Sequence, residues 1–419
     1  MKKIFLTMLL ASGMALVAHS QNFWTLMNNQ NQTFSYGMAA NGDVYALSNS
    51  TFLYKSTTNG TIGSWNQITG FPVTNAYSIF CKGNTVFLLN GDGVDYSGRG
   101  IYASTNGGTT WSPRNNGLGA DTNMTQMYQL ANGVLLVGTK SESFNTKFYY
   151  SSNDGMSWTA GQTITGDVHS VVVRSASEAY MSIGSKIFRS SNNGQTWTDL
   201  NATFPNHPEK LAINSSGNLL GTSNSSIMES TNGGVTWTTK TTTGLPNLSS
   251  TLITYFKLLH GQRVYISLNN NQGLYYSDDW GSNWTSITSN LTSTQIFMSS
   301  LALSTTGYLF ASPSNLGIHR SVNTVVPSFV GIEEINNLDV SITVFPNPVN
   351  NRIYMRSSED FAGYIEIINQ FGQVVYSSQF ESVNLFESQG IDIEGFSSGL
   401  YFVQIKSDKG EFVQKIVKQ

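Results

Sequence analysis

The chain has 419 residues, a formal net charge of −3 and only 11% charged residues. That length suits two domains, and the weak charge excludes a nucleic-acid surface built on a basic face. Glycine, serine, threonine and asparagine are abundant and aromatic residues reach 12%, a composition for short strands and tight turns rather than long helices.

Residues 1–20 read as a secretory signal peptide. Lys2 and Lys3 give a positive start, residues 4–17 are apolar, and Ala18-His19-Ser20 places small residues before a cleavage point at Gln21. No later run is long enough to cross a bilayer as a helix. Cys81 is the single cysteine, so no internal disulfide forms; its apolar neighbours place it in a core strand.

From residue 21 onward one pattern recurs: Ser-x-Asn/Asp-x-Gly-x-x-Trp. It stands at Ser104/Asn106/Gly108/Trp111, Ser151/Asn153/Gly155/Trp158 and Ser190/Asn192/Gly194/Trp197, and again at Ser230/Asn232/Gly234/Trp237 and Ser277/Asp279/Gly281/Trp284. A stretched copy runs from Ser56 to Trp65, and a truncated one is Ser321-Val322-Asn323. The seven serines follow one another at 39 to 48 residues, the spacing of propeller blades. Each position has a local task. Asn or Asp bonds back to nearby backbone N–H groups, glycine takes a positive φ without a Cβ penalty, and tryptophan begins the next strand and buries its ring.

Two strands precede each turn, such as "TVFLLN" and "GIYAS", with another before them, such as "AYSIFC"; a polar strand follows the tryptophan. Four strands per repeat, with the turn between the third and fourth, predict antiparallel sheets packed radially. Seven such groups are present, but the seventh lacks its tryptophan and fourth strand. Phe23-Trp24-Thr25-Leu26-Met27 carries that missing signature at the other end of the chain. Residues 22–28 are therefore expected to complete the seventh sheet, giving an all-β, seven-bladed β-propeller over residues 21–325. These repeats resemble Asp-box (BNR) repeats, which occur in sialidases, sortilin-type receptors, xyloglucan-degrading enzymes and non-catalytic propellers. The resemblance implies the fold and leaves the function open.

Residues 326–340 read as a linker. Residues 326–419 carry 12 Asp/Glu and only 6 Lys/Arg, against near balance before them. Within them, residues 341–419 alternate as strands of a small Ig-like β-sandwich. Phe345-Pro346-Asn347-Pro348, Gly372 to Tyr376, Ser398-Gly399-Leu400-Tyr401 and Lys415 to Lys418 resemble the type A sorting domain of type IX secretion. That resemblance implies the type IX machinery as a partner, and a protein released from, or attached to, the outer surface of a Gram-negative cell.

Chain direction puts the first-to-second strand turns and the Ser-x-Asn turns on one rim. The opposite rim carries the variable connections, the usual place for binding on a rigid frame. The candidate ligand residues there are Asp92, Asp95, Tyr96 and Arg99 in one loop and Lys140, Glu142 and Lys147 in the next. Asp167, His169, His207 and Glu209 open two successive inner strands and could meet as a metal or acid–base group; Asp121 also lies near that rim. A sialidase needs three converging arginines. Arg174, Arg189, Arg263 and Arg320 fall on the tight-turn rim instead, leaving Arg99 and Arg114. No cofactor or metal motif is evident, and no catalytic residue is assigned. The reading is an exported propeller that binds a glycan or protein at the cell surface; the alternative is a polysaccharide-degrading glycoside hydrolase.

Overall fold

The computed structural model describes residues 23–28, 33–49, 51–71, 76–91, 100–120, 122–130, 132–139, 145–175, 177–202, 209–214, 216–223, 225–248, 252–260, 263–269, 272–289, 291, 298–313, 317–325, 340–369, 374–396, 399–407 and 409–419. The expected signal peptide lies outside them. No helix among the described residues is long and apolar enough to cross a membrane.

Among the described residues, seven four-stranded antiparallel sheets, I to VII in chain order, occupy the propeller-like body. Their inner strands are Thr33–Met38, Ser78–Lys82, Met124–Gln129, Val168–Val173, Lys210–Ile213, Ile253–His260 and Met298–Leu303. The second strand of each sheet is almost wholly buried, as in Val44–Ser48, Leu135–Thr139 and Leu219–Thr222. A sheet buried on both faces needs a neighbour on each side. The inner strand of sheet I accordingly lies beside those of both II and VII. Sheets III and IV share one core through Leu136, Phe148, Val171 and Met181.

Sheet VII is built from both ends of this body. Trp24–Asn28 pairs with Ile318–Ser321, and Trp24 faces Ser321 across the ladder. Ser321 is the seventh repeat serine, so the N-terminal strand takes the place of the fourth strand that the last repeat lacks.

The five complete turns share one hydrogen-bond circuit. The hydroxyls of Ser104, Ser151, Ser190, Ser230 and Ser277 donate to Oδ1 of Asn106, Asn153, Asn192, Asn232 and Asp279 at 2.8–3.0 Å. The same hydroxyls accept from the N–H groups of Gly108, Gly155, Gly194, Gly234 and Gly281. All five glycines have positive φ, as the turn requires: +91°, +72°, +75°, +87° and +82°. Each Asn or Asp Oδ1 also accepts the N–H of the residue just before the tryptophan. The amide Nδ2 of Asn106, Asn153, Asn192 and Asn232 then donates to the hydroxyl of Thr110, Ser157, Thr196 and Thr236. In the turn with Asp279 that last bond reverses, and Asn283 Nδ2 donates to the Asp279 carboxylate.

The tryptophans require two corrections. Trp111, Trp158, Trp197, Trp237 and Trp284 do not begin the fourth strand; it starts one residue later, at Ser112, Thr159, Thr198, Thr238 and Thr285. The residue before each tryptophan is held by the turn, so ladder pairing is delayed. Nor are the rings used uniformly. Trp158, Trp197, Trp237 and Trp284 are buried, whereas Trp111 is half-buried. Indole Nε1 of Trp111, Trp237 and Trp284 donates to the carbonyls of Gly108, Gly234 and Gly281 within the same turn. Trp158 instead donates to the Arg114 carbonyl of the preceding sheet. Trp197 stacks at a tilt on Phe148, 5.3 Å between ring centres, and its Nε1 has no partner among the described residues.

Cys81 is half-buried against the core shared by sheets I and II, and burial, then the nearby Asp43 charge, pushes its thiol up to about 12.

Residues 340–419 form two further antiparallel sheets. One orders Ile342–Phe345, Arg352–Ser357 and Ile391–Asp392; the other orders Val374–Phe380, Gly363–Asn369, Gly399–Ser407 and Gly410–Lys418. Val344, Ile353 and Met355 from the first share a core with Ile365, Ile367, Val403 and Ile405 from the second. A single helical turn, Leu385–Ser388, interrupts the expected all-strand pattern and inserts Phe386 into that core. Gly372 and Ser398 lie outside the described residues, and a turn at Lys409-Gly410 joins the last two strands.

Candidate functional site

The two rims differ in how their polar groups are used. On the tight-turn rim, the serines, the Asn or Asp residues and the glycines of the five complete turns bond within their own loops, and neighbouring sheets are stitched together by further hydrogen bonds. Asn41 N donates to Asn84 Oδ1, and Lys82 Nζ reaches both the Gly133 carbonyl (2.6 Å) and Asp154 (2.5 Å). Asn132 Nδ2 donates to Asn193 Oδ1, and Thr306 Oγ1 to Asn59 Oδ1. The arginines of this rim are similarly engaged. Arg174 and Arg189 both pair with Glu178, Arg263 pairs with Asp278, and Arg320 donates to the Asn59 carbonyl. They bond to three different sites and do not form a cluster.

On the opposite rim the inner strands begin, and five of them open with a β-bulge: between Thr33 and Ser35, Met124 and Gln126, Val168 and Ser170, Ile253 and Tyr255, and Met298 and Ser300. Bulges re-aim a side chain beside a binding site. The residues at these bulges are Phe34, Thr125, His169, Thr254 and Ser299. In sheets II and V the same register position holds Tyr77 and Glu209, whose backbone N–H groups donate to the carbonyls of Leu89 and Thr222. One register position therefore opens each inner strand; among those whose side chains are described, Tyr77, His169, Glu209 and Thr254 bring phenol, imidazole, carboxylate and hydroxyl chemistry. Tyr77 is 49% exposed.

The next residue on each inner strand forms a second ring: Ser35, Ser78, Gln126, Ser170, Lys210, Tyr255 and Ser300. Several of these tie adjacent inner strands together. Ser35 Oγ accepts from Ile79 N, Ser170 Oγ from Leu211 N, and the Tyr255 hydroxyl from Leu301 N. Lys210 breaks the pattern. Its Nζ reaches back to the His169 carbonyl at 3.0 Å, which sets an ammonium between sheets IV and V. Burial lowers the Lys210 pKa, and the adjacent Glu209 charge opposes that shift.

Of the residues expected at this rim, Asp92, Asp95, Tyr96, Arg99, Asp121, Lys140, Glu142 and His207 lie outside the described residues. Lys147 lies in the third strand of sheet III; its N–H bonds to Thr139 Oγ1 and its ammonium sits 4.9 Å from the Tyr149 ring centre. Asp167, His169 and Glu209 are half-buried at the starts of adjacent inner strands. Among the described residues no group of three His, Cys, Asp or Glu is placed to hold a metal. Lys210, next to the expected Glu209, is the residue that sequence reading missed. Aligned on the strand register, it is a lysine in a column dominated by serine.

The model of the secretion system C-terminal sorting domain matches residues 343–419. No curated protein matches the chain. Among solved structures it is similar to YCF48 bound to a D1 peptide, at 17% identity and TM-score 0.56, covering 73% of this chain and 96% of that one. It is also similar to the extracellular domain of the BT4673 hybrid two-component system of B. thetaiotaomicron, at 12% identity and TM-score 0.52, covering 93% of this chain and 56% of that one. A third is the GH74 enzyme of Niastella koreensis, at 14% identity and TM-score 0.50, covering 94% and 74%. At these identities the likeness is one of fold. The chain thus joins a propeller-like body to a sorting tail, and that tail implies engagement with the type IX secretion machinery and export to the cell surface or beyond.

Proposed function

We propose that the chain is an exported Asp-box propeller of seven blades, closed by its N-terminal strand, that binds an extracellular glycan or protein across the mouth of its inner strands. Its C-terminal unit is read as an Ig-like sandwich that serves as the export address. The observation that carries this reading is the set Tyr77, His169, Glu209 and Thr254 at one register position of their inner strands, backed by Lys210, on the rim opposite the self-bonded turns. The loop holding Asp92, Asp95, Tyr96 and Arg99, and the connection holding Lys140 and Glu142 with Lys147 in the strand that follows it, would form its outer wall. A mixed polar and aromatic set suits a polar chain molecule.

The test is a glycan array and a peptide array probed with the full chain, its Lys210→Ala and Tyr77→Ala variants alongside. The reading predicts at least one ligand class whose binding falls about tenfold in either variant, the loss of one well-placed polar or aromatic contact. Binding that neither variant weakens, or none at all on both arrays, refutes it.

A second reading is a glycan hydrolase, favoured by Asp167 and Glu209 at the starts of adjacent inner strands and by the GH74 likeness. It requires two carboxylates about 5–10 Å apart across a cleft. Release of reducing ends from a polysaccharide panel, abolished by Glu209→Gln, would replace the binding proposal.

A further inference from the structure

The glycine of each repeat turn plugs the joint to the preceding sheet. A Cβ on Gly60 would overlap the Phe310 ring; one on Gly155 would meet Phe87 at 3.2 Å, and one on Gly194 would meet Leu136 at 2.6 Å. Phe310, Phe87 and Leu136 stand near the start of the second strands in sheets VII, II and III. The matching residue of sheet VI is Tyr265. The turn above it, residues 321–325, has neither the glycine nor the tryptophan, because the chain supplies that tryptophan as Trp24 from its other end.

A cavity of about 230 Å³ lies in this joint, lined by Phe23, Arg263, Tyr265, Tyr276 and residues 322–325. The Arg263 guanidinium lies 4.6 Å from the Tyr276 ring centre, pairs with Asp278 and donates to the Val325 carbonyl. Its charge is thereby balanced. In the complete turns the Asn side chain is consumed by its own loop. Asn323, its counterpart here, makes no side-chain hydrogen bond among the described residues, and neither does Thr324.

We propose that this cavity is a binding subsite for one neutral sugar residue. It lies on the rim opposite the starts of the inner strands and stands independently of the ligand proposed to bind there. Its size is below the roughly 300 Å³ of the smallest drug-sized pockets, which suits a single pyranose rather than an oligosaccharide. Phe23 offers a ring for the C–H face of a sugar, and Tyr276, whose ring carries the Arg263 guanidinium on one face, completes the aromatic wall. The Asn323 amide offers a donor and an acceptor, and Thr324 a hydroxyl, for vicinal hydroxyl groups. The Arg263–Asp278 pair leaves no uncompensated charge to select a uronate or a phosphate.

Saturation-transfer NMR on the full chain tests this with the methyl glycosides of glucose, galactose, mannose and N-acetylglucosamine, and with glucuronate as the anionic probe. At least one neutral glycoside should receive saturation on its ring C–H protons. Tyr276→Ala and Asn323→Ala should each cut that signal at least fivefold. Asn323 is exposed, so its variant tests the site even if Tyr276→Ala does not fold. Four results overturn the proposal: no transfer to any neutral glycoside, signals unchanged in Asn323→Ala, transfer to glucuronate alone, or a signal lost in Lys210→Ala.

Discussion

Trp24 faces Ser321 across an antiparallel ladder, and its indole Nε1 donates to the Ile287 carbonyl of sheet VI at 2.6 Å. Trp158 does the equivalent, donating to the Arg114 carbonyl of sheet II at 2.8 Å. Arg114 and Ile287 each lie three residues beyond the tryptophan of the sheet they belong to. Trp24 therefore repeats the role of Trp158 although it reaches its sheet from the far end of the body. With 1% of its surface exposed, Trp24→Ala should cost about 3–5 kcal/mol in urea unfolding, the range for a buried tryptophan. Trp65 is half-buried and bonds within its own turn, so Trp65→Ala should cost less. Equal losses would show that closure adds nothing to the burial of one indole.

The connections leaving sheets II and V make a second kind of joint. Gly117 and Gly244, at φ +92° and +87°, press on the carbonyls of Trp158 and Trp284, and a Cβ added at either would overlap that oxygen. Asn116 and Thr243, one residue earlier, accept hydrogen bonds from the N–H groups of the same tryptophans. Gly117→Ala and Gly244→Ala should each lower stability by at least about 2 kcal/mol, from backbone strain plus displacement of the joint. Gly63 has a similar φ of +76° but nothing within 4 Å, so Gly63→Ala isolates the strain. A thermal melt of the three variants separates the two contributions, and matching losses would remove the joint from the account.

The turns were legible because the bonds that shape them, from serine, Asn or Asp and glycine, are local. Serine, Asn or Asp, glycine and tryptophan lie within eight residues, and the loop's own chemistry needs no distant partner. One local signal went unread: the residue before each tryptophan is Thr110, Ser157, Thr196, Thr236 or Asn283, the partner of the Asn or Asp side chain. The joints were not legible, since the partner of Trp24, the stacking of Trp197 on Phe148, the press of Gly117 on Trp158 and the reach of Lys210 to His169 depend on which sheets become neighbours. The bulges at His169 and Thr254 were hidden for a similar reason, because a one-residue register shift leaves little trace in an alternating pattern.

The turn at Asp279 gives a test of that local circuit. Burial alone would raise its carboxyl, but the backbone and side chain of Asn283, with Ser277 and the Ser282 N–H, hold it at about 2. A lowered carboxyl pKa contributes stability above its usual value near 4, and that contribution disappears as pH falls toward 2. Asp279→Asn with Asn283→Thr would install the circuit of the other four complete turns, which carries no titrating group. This double variant should keep neutral-pH stability within about 0.5 kcal/mol and lose less of it between pH 4 and 2. Identical acid profiles would mean that the measured transition reports carboxylates elsewhere.

Sheet VII also carries a histidine at a repeat position where the other six sheets have none. Two residues before the repeat serine stand Tyr54, Tyr102, Tyr149, Phe188, Met228 and Tyr275 in sheets I to VI, and His319 in sheet VII. His319 is 7% exposed, pairs with Leu26 of the N-terminal strand and Ala311, and is lowered from 6.5 by burial, with the Gly317 carbonyl opposing the shift. A lowered histidine pKa means that the unfolded chain binds the extra proton more readily. Its contribution is full above pH 6.5 and is lost as pH falls below that value. The loss falls on the sheet that joins the two ends of the body. The thermal midpoint should therefore decline from pH 7 to pH 5, a window above the usual Asp and Glu values. His319→Tyr, which installs the residue of four other sheets, should flatten that decline. A decline of equal slope in the variant would assign the acid sensitivity to another group and leave the closure indifferent to pH in this range.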